Sequence, residues 1–203
     1  MKIIQSDAPA FKKVFDELRQ RGGLHSPRLV STVSRIIQDV ATTGDKALFR
    51  YTKQFDGYPV TATNAEVSAS EMKQAVARVK REDVKTLRLA ARRIEKYHRH
   101  QITSGWSVRD EKGVEIGQRI LPLRRVGIYA PGGKAIYPST ILMAAIPARL
   151  AGVEEIILAS PAREGQIHPL IAAAAEIGGV HRIFKIGGAQ AVAALAYGTQ
   201  TVP

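Results

Sequence analysis

Residues 125–161, RVGIYAPGGKAIYPSTILMAAIPARLAGVEEIILASP, decide the fold. A short apolar strand, Val126-Gly-Ile-Tyr129, runs into the loop Ala130-Pro-Gly-Gly133. A helix from Ser139 to Leu150 follows, interrupted at Pro147 and stopped at Gly152, before the second strand, Ile156-Ile-Leu-Ala159. The pattern then repeats. Ile167 to Ile177 is a second helix, Ile183-Phe-Lys-Ile186 a third strand, and Gly187-Gly188 leads into a third helix, Ala189 to Tyr197, closed by Gly198. Strands alternating with helices of this length imply a parallel sheet with right-handed crossovers. Only five residues follow Gly198. The expectation is therefore a chain that stops where a fourth parallel strand would begin, leaving a small sheet with an unpaired edge.

Upstream of Arg125 the period is different. Trp106 marks a change to alternation, and Ser107-Val-Arg-Asp110, the turn Glu111-Lys-Gly113 and Val114 to Ile120 read as a hairpin. Before it the chain is helical with clear punctuation. Ser6-Asp7 and Pro9 start a helix over Phe11, Val14, Phe15 and Leu18, which Gly22-Gly23 ends. Ser26-Pro27 opens a second, with Val30, Val33, Ile36, Ile37 and Val40 on its inner face. Gly44-Asp45 restarts a third through Leu48, Phe49, Tyr51 and Thr52, which stops before Asp56-Gly57. Ser68 with Glu71 three residues on is a capping box for a fourth, and a long basic fifth helix runs to about Gln101. The fold class is thus α/β. A helical N-terminal region with a β-hairpin (residues 1–124) precedes an incomplete Rossmann-like parallel βαβα unit (residues 125–203).

Composition bounds the function. The chain has 203 residues, 45% of them hydrophobic and 24% charged, which suits a globular protein and not a disordered one. It has no cysteine, which excludes disulfides, thiolate metal sites and a thiol nucleophile. The N-terminus has no apolar stretch of signal-peptide length, and the longest apolar run, Ile141 to Ala148, is far short of the ~20 residues a membrane span needs. A cytoplasmic protein with no membrane partner is expected.

Thirty basic against eighteen acidic side chains give a net charge of +12. Half of that excess lies in residues 71–100, where Val84, Leu87, Ala91 and Ile94 mark one helix face and Lys85, Arg88, Arg92, Lys96 and Arg99 line the strip beside it. Glu95 stands four residues before Arg99, the favourable order for an ion pair. Such a stripe can hold phosphates of nucleic acid. No aromatic residues interleave the charges and no recognition motif accompanies them, so a solvated helix face is the preferred reading.

The chemistry points to two glycine-bearing turns. Tyr129-Ala-Pro-Gly-Gly133, ahead of Ser139 and Thr140 at a helix start, and Gly187-Gly-Ala-Gln190 both lie at the carboxyl ends of parallel strands. Open α/β sheets bind ligands there, and free helix N–H groups favour an anion. Two such turns on one edge point to a nucleotide or phosphorylated ligand. The usual dinucleotide fingerprint is missing, however. There is no G-x-G-x-x-G, and the second strand ends in Ala159-Ser-Pro161 where an acidic ribose anchor is expected. The histidines (His25, His98, His100, His168 and His181) have no second ligand at metal spacing, and surface or capping roles are expected of them. No catalytic triad or carboxylate pair can be read from spacing.

Three segments carry a resemblance to a family. Arg125-Val-Gly-Ile-Tyr-Ala-Pro-Gly-Gly133, Ser139 to Gly152, and above all Gly187-Gly-Ala-Gln-Ala-Val-Ala-Ala-Leu-Ala-Tyr-Gly-Thr199 resemble histidinol dehydrogenase. Gly44-Asp-Lys-Ala-Leu48 and Tyr51-Thr-Lys-Gln-Phe-Asp56 are similar to the same family. The resemblance covers the whole chain but only about the first half of a family member. It implies oxidation of L-histidinol through the aldehyde to L-histidine, with two NAD as hydride acceptors and a zinc ion that orients the substrate. It places NAD against Tyr129 and Gln190, with Gly132 and Gly133 in the cradle. The plainer alternatives are a packed strand-end aromatic for Tyr129 and a helix cap for Gln190. The family's zinc ligands, its glutamate–histidine acid/base pair and most substrate contacts belong to the second half, and its homodimer is intertwined. The expectation is a chain without catalysis of its own. The alternatives are a non-enzymatic binding module using the basic helix, or one half of a split enzyme.

Overall fold

The computed structural model describes residues 3–20, 26–132 and 136–203. Gly22-Gly23, His25 and Gly133 therefore lie outside the described residues. The helices before the sheet are α1 (Phe11–Gln20), α2 (Pro27–Thr43), α3 (Asp45–Asp56), α4 (Ala69–Ala77) and α5 (Arg81–His98), the last extended by a 3-10 turn, Arg99–Gln101. Strands β1 (Trp106–Arg109) and β2 (Glu115–Gln118) form an antiparallel hairpin. Then come β3 (Arg125–Tyr129), α6 (Pro138–Leu150), β4 (Glu155–Ala159), α7 (Pro169–Gly178), β5 (Arg182–Phe184) and α8 (Gly188–Tyr197).

The order β3-β4-β5 is parallel throughout, with Tyr129 opposite Ala159 and Ala159 opposite Phe184. The three strands therefore end level. The ladder continues for one bond past each tip, from Ala130 N–H to Ala159 O at 3.0 Å and from Ser160 N–H to Phe184 O at 3.0 Å. The loops after β3, β4 and β5 thus leave the sheet side by side.

Because strand side chains alternate, the sheet feeds two cores. Ile128, Ile156, Leu158 and Ile183 pack under α4, α5, α6 and α7. Ile157, Ala159 and Phe184 face the other way, into α2, α3 and α8. Central β4 is buried on both faces apart from its first residue, which explains its continuous apolar run. Helices α6 and α8 lie on the strands, and α2–α5 pack on α6, α7 and α8 to extend the two cores.

Local signals match the residues. Ser68 accepts from Glu71 N–H at 3.2 Å while Glu71 accepts from Ser68 N–H at 2.8 Å, a complete capping box. Gly57 ends α3 in the left-handed conformation, at φ 71°. Leu87 and Ala91 are buried on α5, while Lys85, Arg88, Arg92, Lys96 and Arg99 are all exposed. Glu95 pairs with Arg99 and, at 3.2 Å, with Arg149 on α6. Charge on α5 thus also ties it to its neighbour.

Three expectations need correction. Helix α6 runs through Pro147 instead of breaking there. An interior proline costs about 3 kcal/mol. Ile141, Leu142, Ala145 and Ile146 are fully buried on that helix, and at about 1.5–3 kcal/mol per large aliphatic side chain their burial outweighs it. Val30 on α2 is half exposed, because the covered part of that helix begins nearly two turns later, with Ile36 and Val40 as its buried residues. Strand β5 ends at Phe184, and its outer edge is not left unpaired as expected: Val67 N–H donates to Ile183 O at 2.8 Å and Lys185 N–H to Ala65 O at 2.7 Å around an antiparallel bridge between Glu66 and Phe184.

Candidate functional site

The site is built from the three loops that leave the level strand tips. Tyr129, the last residue of β3, is partly buried against the α2–α3–α8 core. Its hydroxyl lies 3.5 Å from the backbone N–H of Gly188, which it accepts, at the first turn of α8. Gly188 has φ +66°, a backbone conformation that glycine adopts without penalty. Gln190 follows in the same turn. Tyr129 and the turn that carries Gln190 therefore meet on one edge of the sheet, although residues 129 and 190 are 61 positions apart in sequence.

Gln190 is fully buried, yet neither its side-chain oxygen nor its nitrogen has a partner. It is not the helix cap: Gly187 holds that position, with no side-chain cap bond. An amide stripped of water without a partner costs about 1–3 kcal/mol. Ser160, fully buried just past β4, also leaves its Oγ unpartnered. These side chains are kept at the strand tips without a protein group to satisfy them.

Glycine lets the loops close on one another. A Cβ on buried Gly132, in the loop after β3, would stand 2.5 Å from Ser160 Oγ and 2.8 Å from Pro161 O. A Cβ on Gly187 would run into the Pro161 ring and come within 3.3 Å of Asp56 Oδ2. Asp56, the last residue of α3, thus reaches the same place. Its Oδ2 is buried and unpartnered, and burial pushes its carboxyl above the usual carboxylate range. Neither Asp56 nor Ser160 was singled out from the sequence. Asp56 reads there as a helix stop and as the end of a family-like stretch, with no site role, and the absence of a partner for Ser160 cannot be read from a string of letters.

Beside Gly132 a cleft of about 270 Å³ is lined by Arg78, Arg163, Gln166 and His168 among others. Arg78 donates to Gln166 Oε1 at 3.1 Å. His168 caps α7, its Nδ1 accepting from Leu170 N–H at 3.1 Å. Burial, and then the charges of Arg163 and Arg78, hold its imidazole below the ordinary histidine range. The neutral form, which keeps Nδ1 as an acceptor, is therefore favoured. The cationic rim suits an anionic ligand group next to the strand tips.

The other histidines also have local work. His181 Nδ1 accepts from Ile156 N–H at 3.0 Å, and His98 Nδ1 lies 2.6 Å from Gln101 Oε1. Among the described residues, no group of three or more His, Asp or Glu stands together as a metal site. Lys185, almost wholly buried, spends its charge on Glu71 Oε1 at 2.6 Å.

A three-stranded parallel sheet sandwiched by helices, with buried polar side chains gathered at its strand tips, defines an α/β protein of the incomplete Rossmann type. The family model for histidinol dehydrogenase matches residues 19–203, and the chain belongs to that family. It is 47% identical to histidinol dehydrogenase of Syntrophotalea carbinolica over 203 residues, all of this chain and 47% of that relative. It is 51% identical to that of Oceanobacillus iheyensis over 172 residues, 84% of this chain and 40% of that one. It is also similar to the crystal structure of histidinol dehydrogenase from Elizabethkingia anophelis, with a TM-score of 0.80 and 37% identity over 89% of this chain and 41% of that one. The chain spans about half the length of the relatives it matches.

Proposed function

We propose that this chain is the nicotinamide-nucleotide-binding part of a histidinol dehydrogenase, with NAD seated across the strand tips against Tyr129 and Gln190. The observation that carries the reading is Gln190: a fully buried amide with neither polar atom satisfied, in the turn whose Gly188 meets the Tyr129 hydroxyl. A ligand that both donates and accepts would satisfy it. Gly132 completes the cradle in this reading.

Bound NAD supplies the hydride acceptor. The chain's own residues bind and orient it. Tyr129 presents a ring face and a hydroxyl, Gln190 and Ser160 present buried donors and acceptors, and the first-turn N–H groups of α8 face the ligand edge. The family also implies zinc. Among the described residues no three His, Asp or Glu stand together to hold it, and no step is routed through it here. In this reading the zinc ligands, the acid/base pair and the contacts to L-histidinol belong to the part of the relatives that this chain does not span.

The same reading takes the protein as a cytoplasmic homodimer. Among the described residues no helix is long and apolar enough to cross a membrane. The hairpin β1–β2 and the strap after it expose Trp106, Val108, Ile116, Leu121 and Leu123, an apolar surface that a second polypeptide would cover. Nucleic acid is not part of the proposal.

The test is complementation. The chain is mixed with a separately produced second half of the Syntrophotalea carbinolica relative and supplied with L-histidinol, NAD and zinc. Formation of NADH by the mixture, abolished by Gln190→Ala, supports the reading. NADH formation by the chain alone, or by a mixture indifferent to Tyr129 and Gln190, overturns it.

A further inference from the structure

Dinucleotide-binding units place an acidic side chain at the end of their second strand, where it accepts hydrogen bonds from the adenosine ribose. Here the second strand of the sheet, β4, ends in Ala159-Ser160-Pro161 and offers no acid. The fold brings one from elsewhere. At the Gly187 α-carbon, the position a Cβ would take touches the Pro161 ring on one side and lies 3.3 Å from Asp56 Oδ2 on the other. Asp56, from the end of α3, thus stands near Pro161, two residues past the end of the second strand.

Two further observations bear on Asp56. Its Oδ2 is buried with no protein partner, an arrangement that costs about 1–3 kcal/mol, more for an ionised group. It also closes a helix at the C-terminal end, where the dipole disfavours negative charge by about 0.3–1 kcal/mol. An ionised carboxylate is acceptor-only, and a vicinal diol presents two O–H donors. Ser160 Oγ and Gln190, both unpartnered, lie on the same loop cluster.

Resting on the nucleotide reading above, we propose that Asp56 is the ribose anchor of the site: its carboxylate accepts the adenosine ribose hydroxyls of the dinucleotide and repels a phosphate on the 2′ oxygen. The acidic position has moved from the sheet to a covering helix while keeping its place in space. Specificity for NAD over NADP then resides in a residue contributed by the N-terminal helices.

The test uses the full 203-residue chain and titrates NAD+ and NADP+ separately by calorimetry. The unchanged chain binds NAD+ more tightly than NADP+. Asp56→Asn weakens NAD+ by about tenfold, the loss of one charge-assisted hydrogen bond, and brings the two affinities together. Thermal melting without ligand shows Asp56→Asn at least as stable as the parent, and Asp56→Ala is carried in parallel. Three results overturn the proposal. If Asp56→Asn keeps both affinities while Gln190→Ala loses NAD+, the site stands and Asp56 is not its anchor. If Asp56→Asn and Asp56→Ala weaken both nucleotides equally, Asp56 acts only through structure. If the unchanged chain binds neither nucleotide, the underlying site falls, and the anchor with it.

Discussion

The Tyr129 hydroxyl and the Gly188 N–H face each other at 3.5 Å, joining the tip of the first parallel strand to the start of the last helix. That distance is at the long end of hydrogen bonding, so the contact positions the two groups without saturating either. A ligand atom placed between Tyr129 and the α8 terminus can take over the bond.

The Gly188 conformation is the first thing to test. At φ +66° an alanine pays about 1–2 kcal/mol in backbone strain, and its Cβ would stand 2.7 Å from Gln190 Oε1. Gly188→Ala should lower urea-unfolding stability by about that amount and displace the Gln190 amide. Unchanged stability would mean that the turn relaxes, and that Gln190 is less firmly held than the structure shows.

Glu71 joins two devices, since it closes the capping box of α4 and pairs with buried Lys185. Ser68→Ala removes only the cap and should cost about 1 kcal/mol. Glu71→Ala also strands the Lys185 ammonium and should cost about 2 kcal/mol more. Adding Lys185→Met to Glu71→Ala should recover most of that difference. A double-mutant cycle by denaturant titration reads the coupling, and strict additivity would contradict it.

Acid titration separates two carboxylates of opposite sign. Burial opposes ionisation of Glu71, but the Lys185 and Ser68 hydrogen bonds outweigh it and hold the group below the ordinary glutamate range. Its stabilisation is present above the unfolded value and is lost as pH falls through the folded one. Asp56 is raised by burial, so the folded state holds its proton longer and the cost grows as pH climbs through its folded value. Asp56→Asn should therefore melt higher than the parent at neutral pH, with the gap closing below the ordinary aspartate range. Melting temperatures across pH 3–8 check both signs.

Much of the fold was legible, because its signals are local. Ser68 and Glu71 announced a helix start, Gly57 and Gly198 announced helix ends, and the apolar runs at Val126, Ile156 and Ile183 announced parallel strands. Tertiary burial decided where reading failed. Pro147 looks like a break, but the residues buried ahead of it, with Ala148 and Leu150 packed on the same core beyond it, hold α6 together. Val30 keeps the period of its helix while lying beyond the part that anything covers. The two glycine turns and the family resemblance point to positions 129 and 190 as candidate site residues, and the structure brings the two turns to one edge. The unpartnered state of Gln190 was not, and neither was the arrival of Asp56 from a distant helix, since both depend on how three loops and a covering helix close in space.

The most direct measurement is a titration of the isotopically labelled chain with NAD+, followed through backbone amide signals. The account predicts shifts gathered at residues 129–132, 160–161 and 187–191, absent in a Tyr129→Ala, Gln190→Ala double variant that keeps its fold. No shifts at millimolar NAD+, or shifts gathered on the basic face of α5, would contradict it.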